Sequence, residues 1–409
     1  MDTKFFDEDA LYRWEFKNKG YAHFDSEFCK DRVEKLLDCL KKTKRMSHTF
    51  YPFIRFKIPK CKRNEDGKIY IDYKNPRHIM HTARIDANIY SFYRTLLMNK
   101  YESLISKLQI ANCVIAYRKI KLDNHPSKGM SNVHFANEAF EEIKRKTLEF
   151  GKCSAIAMDI SKFFDSLDHG IIKRQWCRVM GYENGLPEDH FSIFKNITQF
   201  RYVDKNTLEK KLQIKFSTLL NEGKKQICSP PTFREKVLPF LSEKNKIGIP
   251  QGTAISDVIA NMYMLDFDAL LDKFARKHNC YYRRYSDDIL LICPPIYESK
   301  ARKLITWIIE RKARLSVSHK KTLISRFELT PNGITCTSYK NSEGNDKPAG
   351  KLFVYLGLSF DGTHKNIRQS SRSAFYQKLS HRIEKEVDIA YSKLEKKGNY
   401  PLMKAKFIK

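Results

Sequence analysis

Three aspartates of this chain stand where short apolar runs end or begin, and their spacing could support metal chemistry. Asp287 and Asp288 belong to a Tyr-Ser-Asp-Asp sequence between two apolar-rich runs, which predicts a hairpin with two carboxylates at its tip. Asp159 follows another apolar run, and if the two strands pair, Asp159 and Asp287 converge. Converging carboxylates can hold two Mg²⁺ ions roughly 3.5 to 4 Å apart, which activates an attacking hydroxyl and stabilises a leaving pyrophosphate.

Each of these aspartates also has an ordinary structural explanation. Two aspartates in a hairpin turn can serve the turn alone, because both tolerate tight backbone angles, and an aspartate followed by serine can cap a helix. A third element favours the catalytic interpretation. Residues 248–253, Gly-Ile-Pro-Gln-Gly-Thr, precede a predicted helix that runs to Lys273. The sequence fits an ordinary Gly-Pro turn, but its glycines would also let the backbone approach a ligand closely.

In this order and spacing, the three elements resemble the motifs of the reverse transcriptase family. Asp159 matches the first carboxylate motif, residues 248–252 the Pro-Gln-Gly motif, and residues 285–288 the Tyr-x-Asp-Asp box. Upstream, Arg77 followed by Asp86 is similar to the family's fingers motif, although the usual Pro and the Arg after that Asp are absent.

The resemblance continues downstream of the Asp-Asp pair. Lys321 lies in a Lys-Thr element, and Leu356 with Gly357 looks like the primer-gripping hairpin, so the likeness covers roughly residues 55 to 365. It implies an α+β fold, a right-hand polymerase with fingers, a palm of antiparallel sheet plus helices, and a short helical thumb. The predicted division is an N-terminal helical extension over 1–50, fingers over 51–150, palm with the primer-grip hairpin over 151–365, and thumb over 366–409.

By this resemblance, the metal ligands are Asp159 and Asp287, with Asp288 as a supporting ligand or a residue of the turn, and with the carbonyl of Ile160 in contact with metal. The implied cofactor is a pair of Mg²⁺ ions, for which Mn²⁺ can substitute. The carboxylate ligands suit these hard cations. The chain offers no Cys-x-x-Cys pair or Cys/His cluster at zinc spacing, so its ten cysteines are predicted to be reduced thiols.

The resemblance also assigns the nucleotide-binding residues. Gln251 and Gly252 frame the nucleotide, and Arg77 neutralises its phosphates. Phe164, five residues after Asp159, stands where the family places a ring beneath the incoming sugar, and such a ring collides with a 2′-hydroxyl. The resemblance therefore implies that Phe164 selects deoxynucleotides, which would distinguish a DNA polymerase from an RNA-dependent RNA polymerase. Alternatively, Phe164 is a core residue; its neighbour Phe163 is predicted to be one, because successive side chains that leave a strand point in opposite directions. Lys321 either donates a proton to pyrophosphate or binds phosphate.

Four further segments carry predictions about nucleic acid and local structure. Tyr285, Leu356 and Gly357 are assigned to the primer terminus. The segment from Val203 to Lys246 is dense in Lys and Glu, which indicates a solvated helix surface or, alternatively, an insertion that binds RNA. Residues 338–351 are predicted to be an exposed loop. The thumb is predicted to be a helix that packs on one side and faces nucleic acid with Lys378, Arg382 and Lys385. Alternatively, it is a merely solvated helix. The apolar stripe of this helix consists of Phe375, Leu379, Ile383, Val387, Tyr391 and Leu394.

Composition favours a polyanionic partner. Lys and Arg total 76 against 47 acidic residues, a net charge of +29. A membrane partner is not predicted, because no uninterrupted apolar stretch reaches about 18 residues. The acidic start of the chain does not resemble a secretion signal, so a cytoplasmic location is expected. The family resemblance implies that this location is bacterial.

These features predict a reverse transcriptase that makes DNA from deoxynucleoside triphosphates on an RNA template. The sequence around Asp159 is similar to that of group II intron, retron and defence-associated bacterial enzymes. Without a Val-Thr-Gly triplet, a maturase or an endonuclease region, antiphage defence with a structured non-coding RNA is favoured. Two alternatives remain: a template-independent or protein-primed DNA polymerase of the same fold, and a catalytically idle RNA-binding scaffold. A homo-oligomer or partner protein could complete the short thumb.

Overall fold

The computed structural model of the protein describes residues 14–26, 30–43, 48–63, 69–122, 125–342 and 345–395. These residues divide into two compact units. Unit 1 contains the residues up to Arg118 together with Met158–Leu291 and Ser299–Ser318, and unit 2 contains Lys119–Ala157, Ile292–Glu298 and the residues from His319 onward. Helices and antiparallel strands occur in both units, so the predicted α+β class is confirmed.

The α-helices among the described residues are α1 (Lys30–Thr43), α2 (Arg84–Lys107), α3 (Asn132–Phe150), α4 (His169–Met180), α5 (Glu188–Thr198), α6 (Lys205–Leu212), α7 (Phe216–Asn221), α8 (Pro230–Lys236), α9 (Ser256–Tyr263), α10 (Leu265–Lys277), α11 (Glu298–Trp307) and α12 (Gln369–Glu395). Short 3₁₀ helices form at Phe163–Ser166, Leu238–Phe240, Pro295–Tyr297 and His319–Lys321, and a π-helical turn follows α11 at Ile308–Lys312.

The strands are β1 (Phe53–Arg63), β2 (Ile69–His81), β3 (Lys121–Leu122), β4 (His125–Gly129), β5 (Lys152–Asp159), β6 (Tyr202–Asp204), β7 (Tyr281–Tyr285), β8 (Asp288–Cys293), β9 (Leu323–Thr330), β10 (Gly333–Ser342), β11 (Asn345–Gly350), β12 (Phe353–Tyr355), β13 (Leu358–Phe360) and β14 (Lys365–Ile367). The largest sheet has the order β11-β10-β9-β5-β8-β7, and smaller sheets have the orders β2-β1-β6, β12-β13-β14 and β3-β4.

Helix α2 forms the centre of unit 1. Its residues Ile89, Tyr90, Phe92 and Leu97 are all buried, and a helix that is apolar on most sides must lie inside a core. The single helix predicted from residue 254 to Lys273 is instead two, α9 and α10, which meet at Met264. Both α9 and α10 bury apolar side chains, so burial continues on both sides of the break at Met264.

The charged 203–246 segment contributes a hydrophobic core of its own in unit 1. Val203, Phe216 and Ile227 cluster with Phe24 of the N-terminal region and Ile54 of β1. The backbone joins the same regions, because the His23 amide donates to the Lys225 carbonyl at 2.9 Å and the Ile227 amide donates to the His23 carbonyl at 2.9 Å. The Lys and Glu residues of this segment therefore lie around a packed subdomain rather than on isolated helices.

Unit 2 is built on antiparallel strands covered by α3. Phe140 of α3 stacks on Phe360 with ring centroids 4.9 Å apart, and it meets the edge of Phe353 at 6.0 Å. At the start of α3, Ser131 and His134 form a reciprocal cap, as expected for a loop entering a helix. The prediction of an exposed loop at 338–351 is wrong, because β10 and β11 pair there as antiparallel strands.

Helix α12 differs from the prediction of a helix packed on one side. Phe375 is 62% exposed, Leu379 43% and Ile383 53%, so its apolar stripe lies on the surface. The helical periodicity is confirmed over Gln369–Glu395, but periodicity alone does not supply a surface to pack against. None of the described helices combines the length and apolar composition that a bilayer crossing requires.

Candidate active site

The end of β5 and the β7–β8 turn meet in unit 1. The Ile160 amide donates to the Asp287 carbonyl at 3.2 Å. On its other side this segment is fixed by Val317, which forms an antiparallel bridge with Ile160, and by the Ser318 amide, which donates to the Asp159 carbonyl at 2.8 Å. The predicted convergence of the two strand ends is therefore found in the backbone. Asp159 is 8% exposed, Asp287 is half-buried and Asp288 is exposed.

A buried ion pair supports the turn that carries Asp287. Ser286 adopts a left-handed conformation with φ +59°, and its carbonyl accepts a hydrogen bond from Arg284 Nη1 at 3.0 Å. Arg284 also forms a two-pronged pair with Asp268 of α10, Nε to Oδ1 and Nη2 to Oδ2, both at 2.7 Å. Tyr282 donates to the same carboxylate at 2.5 Å.

Neither member of this ion pair is exposed, so its charges are separated from water. Burial by itself lowers the pKa of the Arg284 guanidinium, but the Asp268 carboxylate outweighs burial and raises it, so Arg284 stays charged. Neither Arg284 nor Asp268 was predicted from the sequence as part of the site. The available signal was alternation in β7, which places Tyr282 and Arg284 on the same face of the strand.

The Pro-Gln-Gly loop packs on the segment that follows Asp159. The Gly248 amide donates to the Leu167 carbonyl and the Ile249 amide to the Phe164 carbonyl, both at 2.8 Å. Gly248 has φ +77°, and a Cβ built on it would lie 2.5 Å from the carbonyl carbon of Asp165. Glycine is required at this position for both conformation and space.

The same loop contacts β2, which carries Arg77. Arg77 Nε donates to Gln251 Oε1 at 2.9 Å, and the Met80 amide donates to the Gln251 carbonyl at 2.8 Å. A Cβ on Gly252 would lie 2.8 Å from Ile79 Cγ2, so β2 and the loop approach closely. Arg77 and Gln251, predicted as nucleotide-binding residues, are thus brought together, and Arg77 is exposed.

Phe164 lies in the 3₁₀ helix Phe163–Ser166 and is half-buried, whereas Phe163 is only 3% exposed. The two rings meet edge to face with centroids 5.4 Å apart. The difference in burial was predicted from strand alternation, but that reason is wrong, because the strand ends at Asp159. The tight turn of the 3₁₀ helix accounts for their different burial instead.

Asp86, the aspartate of the proposed fingers motif, is a buried structural group. It accepts hydrogen bonds from His48 Nε2 at 2.6 Å and from the Tyr51 amide at 2.9 Å. Burial raises the pKa of Asp86 to about 6, with the His48 hydrogen bond acting in the opposite direction. Nearby Arg84 is also buried and pairs with Asp25, Nε to Oδ1 at 3.3 Å.

Tyr285, the last residue of β7, is half-buried in unit 1, and the other predicted residues lie in unit 2. Lys321 is exposed at the end of the 3₁₀ helix His319–Lys321. Leu356 and Gly357 form the two-residue turn between β12 and β13, with φ of +45° and +87°, so the predicted hairpin is present. Lys378, Arg382 and Lys385 are exposed on α12.

The donors at the meeting point of β5 and the β7–β8 turn agree in kind with a divalent metal. Across the part of the chain that the structure describes, no group of three or more His, Cys, Asp or Glu side chains is arranged to hold a metal ion. Mg²⁺ in phosphate-transferring sites commonly takes only one or two protein carboxylates and completes its shell with substrate phosphates and water. Asp159 and Asp287, on hydrogen-bonded neighbouring segments, match that smaller set in number and kind of ligand.

Solved structures that resemble this one include telomerases. Apo telomerase from Candida tropicalis, truncated from its C-terminal domain, is 12% identical over 83% of this chain and 60% of that chain, with a TM-score of 0.46. Telomerase from Candida albicans in complex with a TWJ fragment of telomeric RNA is 11% identical over 82% of this chain and 48% of that chain, with a TM-score of 0.44. This chain thus spans about half to three fifths of those chains.

No protein-family model and no curated protein matches the chain.

Proposed function

We propose that this protein is a reverse transcriptase that synthesises DNA from deoxynucleoside triphosphates on an RNA template. The observation that carries the proposal is the hydrogen bond between Ile160 and Asp287, because it joins the backbone of two aspartate-bearing segments 128 residues apart in the chain. The contact of Gln251 with Arg77 adds support, since it assembles an exposed cationic group with a glycine-flanked loop in the same unit.

The reaction is a nucleotidyl transfer. The primer 3′-hydroxyl oxygen attacks the α-phosphorus of the nucleotide, a new P–O bond forms, and the bond from that phosphorus to the bridging oxygen breaks. Pyrophosphate leaves with the bridging oxygen, and the hydroxyl proton passes to water. When bound, two Mg²⁺ or Mn²⁺ ions would lower the pKa of the hydroxyl and shield the triphosphate charge.

The chain's own residues divide this work. Asp159 and Asp287 would hold the metal, with Asp288 and the Ile160 carbonyl in support. Arg77 donates hydrogen bonds to the triphosphate, Gln251 and Gly252 shape its pocket, and Phe164 excludes a 2′-hydroxyl. Lys321, Tyr285, Leu356 and Gly357 are assigned to pyrophosphate and the primer terminus by resemblance to the family.

We further propose a structured non-coding RNA as the template and antiphage defence as the biological role, in the bacterial cytoplasm. The net charge of +29 supports a nucleic-acid partner. The defence role rests on the resemblance of the sequence around Asp159 to defence-associated enzymes. Exposed Lys378, Arg382 and Lys385 on α12 are proposed RNA contacts.

The test compares the wild-type protein with Asp159→Asn and Asp287→Asn on a primed RNA template with deoxynucleotides and Mg²⁺. Each substitution removes a charge and keeps the side-chain shape, so we expect incorporation to fall by at least about a hundredfold while RNA binding persists. Asp266→Asn is the matched control, because Asp266 forms surface ion pairs with Arg178 and Arg174. Normal synthesis by either the Asp159 or the Asp287 variant would refute the metal assignment.

The same variants separate the alternatives. Synthesis by the wild type without added RNA would favour a template-independent polymerase. Phage protection that survives in both inactive variants would favour an RNA-binding scaffold.

A further inference from the structure

Tyr117 contacts the turn between β7 and β8, although none of the predicted motifs contains it. Its hydroxyl donates a hydrogen bond to Ser286 Oγ at 3.0 Å, and its ring lies 6.5 Å from that of Tyr285, centroid to centroid. Tyr117 has φ +64° and Ser286 has φ +59°. Two non-glycine residues in the left-handed region are therefore joined directly, and strained conformations of this kind persist only where the surrounding structure holds them.

The segment before Tyr117 is fixed along β7. The Arg284 amide donates to the Cys113 carbonyl at 2.7 Å, and the Ile115 amide donates to the Arg284 carbonyl at 3.0 Å. Asn261 Nδ2 of α9 donates to the Ala116 carbonyl at 3.0 Å. These bonds hold the backbone just before Tyr117, so the position of its hydroxyl beside Ser286 is fixed.

Three hydrogen bonds hold the turn itself. The Ser286 carbonyl accepts from Arg284, the Ser286 hydroxyl accepts from Tyr117, and the Asp287 carbonyl accepts from Ile160. The first and third fix the backbone on either side of the peptide bond that leads to Asp287. The Tyr117 bond fixes the side chain of the strained residue, which is itself buried.

We propose that Tyr117 is a positioning residue of the active site: its hydroxyl, through Ser286, fixes the direction in which the Asp287 carboxylate leaves the turn. The inference rests on the proposed function. It assigns Tyr117 an effect on the chemical step rather than on nucleotide binding, because the bond acts on Asp287 and not on Arg77 or Gln251. Tyr117 is 37% exposed, and its partial burial raises the pKa of its phenol, with the Ser286 hydrogen bond acting in the opposite direction, so the phenol keeps its proton.

The test uses the full chain with Tyr117→Phe, Ser286→Ala and the double variant. Tyr117→Phe keeps the ring and removes only the hydroxyl. We expect kcat for deoxynucleotide incorporation to fall about tenfold, with KM for the nucleotide unchanged within about twofold. Both single variants break the same hydrogen bond. The decrease in kcat of the double variant should therefore be no greater than about the larger of the two single-variant decreases. Tyr73→Phe, the same change at an exposed tyrosine of β2, is the control.

A second measurement does not depend on catalysis. The Ile160 amide is bonded to the Asp287 carbonyl, so loosening of the turn should speed its hydrogen exchange in Tyr117→Phe and leave it unchanged in Tyr73→Phe. Unchanged kcat and unchanged hydrogen exchange in Tyr117→Phe would overturn the inference. So would a rise in KM with unchanged kcat, or decreases in kcat that are fully additive in the double variant. A wild-type protein that incorporates no nucleotide would instead refute the proposed function, and the exchange measurement would still decide whether Tyr117 holds the turn.

Discussion

At the scale of single residues, the side chains around the end of β5 differ in burial and in the space around them. Phe163 is buried in the core, and its neighbour Phe164 is half-buried beside the same strand end. Gly248 approaches the backbone of Asp165 so closely that any side chain would collide with it. Substitutions at these positions therefore separate packing from chemistry.

Replacing Phe164 with Val should admit ribonucleotides. A ring beneath the sugar collides with a 2′-hydroxyl, and relief of a clash worth about 3 kcal/mol changes discrimination by roughly a hundredfold. Incorporation of each nucleotide type by the two proteins measures this ratio. Phe163→Val is the matched control and should lower the unfolding free energy by about 2 kcal/mol without changing the ratio. Efficient use of ribonucleotides by the wild type would rule out the sugar-selecting role.

Gly248→Ala should destabilise the protein and displace the Pro-Gln-Gly loop. The added Cβ would meet the Asp165 carbonyl at 2.5 Å, and we expect a loss of roughly 2 kcal/mol or more in unfolding free energy. Gly223→Ala is the control, because Gly223 also has a positive φ, +68°, but no atom lies within 4 Å of its added Cβ. Equal losses in the two variants, measured by urea unfolding, would show that backbone conformation alone matters.

At the scale of elements, helices α4 and α5 are joined by a buried histidine. Trp176 Nε1 of α4 donates to His190 Nδ1 at 3.1 Å, and His190 Nε2 lies 3.1 Å from the Tyr182 hydroxyl. Because Nδ1 is the acceptor for Trp176, His190 is neutral and carries its proton on Nε2. Burial lowers the pKa of His190 to about 4.

The unfolding free energy should therefore fall as the pH is lowered. The unfolded chain binds a proton at His190 below its ordinary pKa of 6.5, whereas the folded protein does not until about pH 4, so protons favour unfolding in this range. Between pH 7.5 and 5 this residue should cost about 2 kcal/mol. His190→Gln, which keeps polar atoms but does not titrate, should reduce the slope measured by urea unfolding.

Asp86 acts in the opposite direction, because its raised pKa, about 6, makes the folded state the better proton binder between about pH 4 and 6. The difference between the wild type and His190→Gln cancels this contribution. An identical pH dependence in both proteins would show that His190 is not held neutral.

At the scale of the whole molecule, positive charge exceeds negative charge by 29. An excess of this size attracts polyanions over a wide surface, so affinity for RNA is not by itself evidence of a specific site. Helix α12 combines exposed apolar side chains with Lys378, Arg382 and Lys385, which makes it the most testable part of that surface.

RNA binding should weaken steeply with salt, with a log-log slope of about −0.7 for each phosphate contacted on a single strand. Replacing Lys378, Arg382 and Lys385 together with Ala should weaken binding and make the slope less negative by about 2, measured by a salt titration. The control replaces three exposed lysines on α10 and α11, Lys273, Lys277 and Lys303, which changes net charge equally. Equal effects of the two triple variants would mean that α12 contributes only to the general charge.

The chain's local patterns were sufficient for many of the elements. Apolar runs with turn residues between them predicted β5 and the β7–β8 hairpin, because strand and turn propensities depend mainly on neighbouring residues. The hairpin at Leu356 and Gly357 was predicted by the family resemblance instead. The same patterns missed the β10–β11 hairpin, where the glycines and a proline suggested a loop but pairing with a neighbouring strand prevailed.

Sequence determined which residue types could do chemistry: aspartates at strand ends, a glycine-flanked loop and a large positive charge. Tertiary structure decided which residues support them. The Arg284–Asp268 pair, the Tyr117–Ser286 bond and the contact of Arg77 with Gln251 join positions 16, 169 and 174 residues apart. No local pattern predicts such contacts, because they depend on how distant elements pack together. For the same reason, the apolar stripe of α12 predicted a helix but did not predict whether another element would cover that stripe.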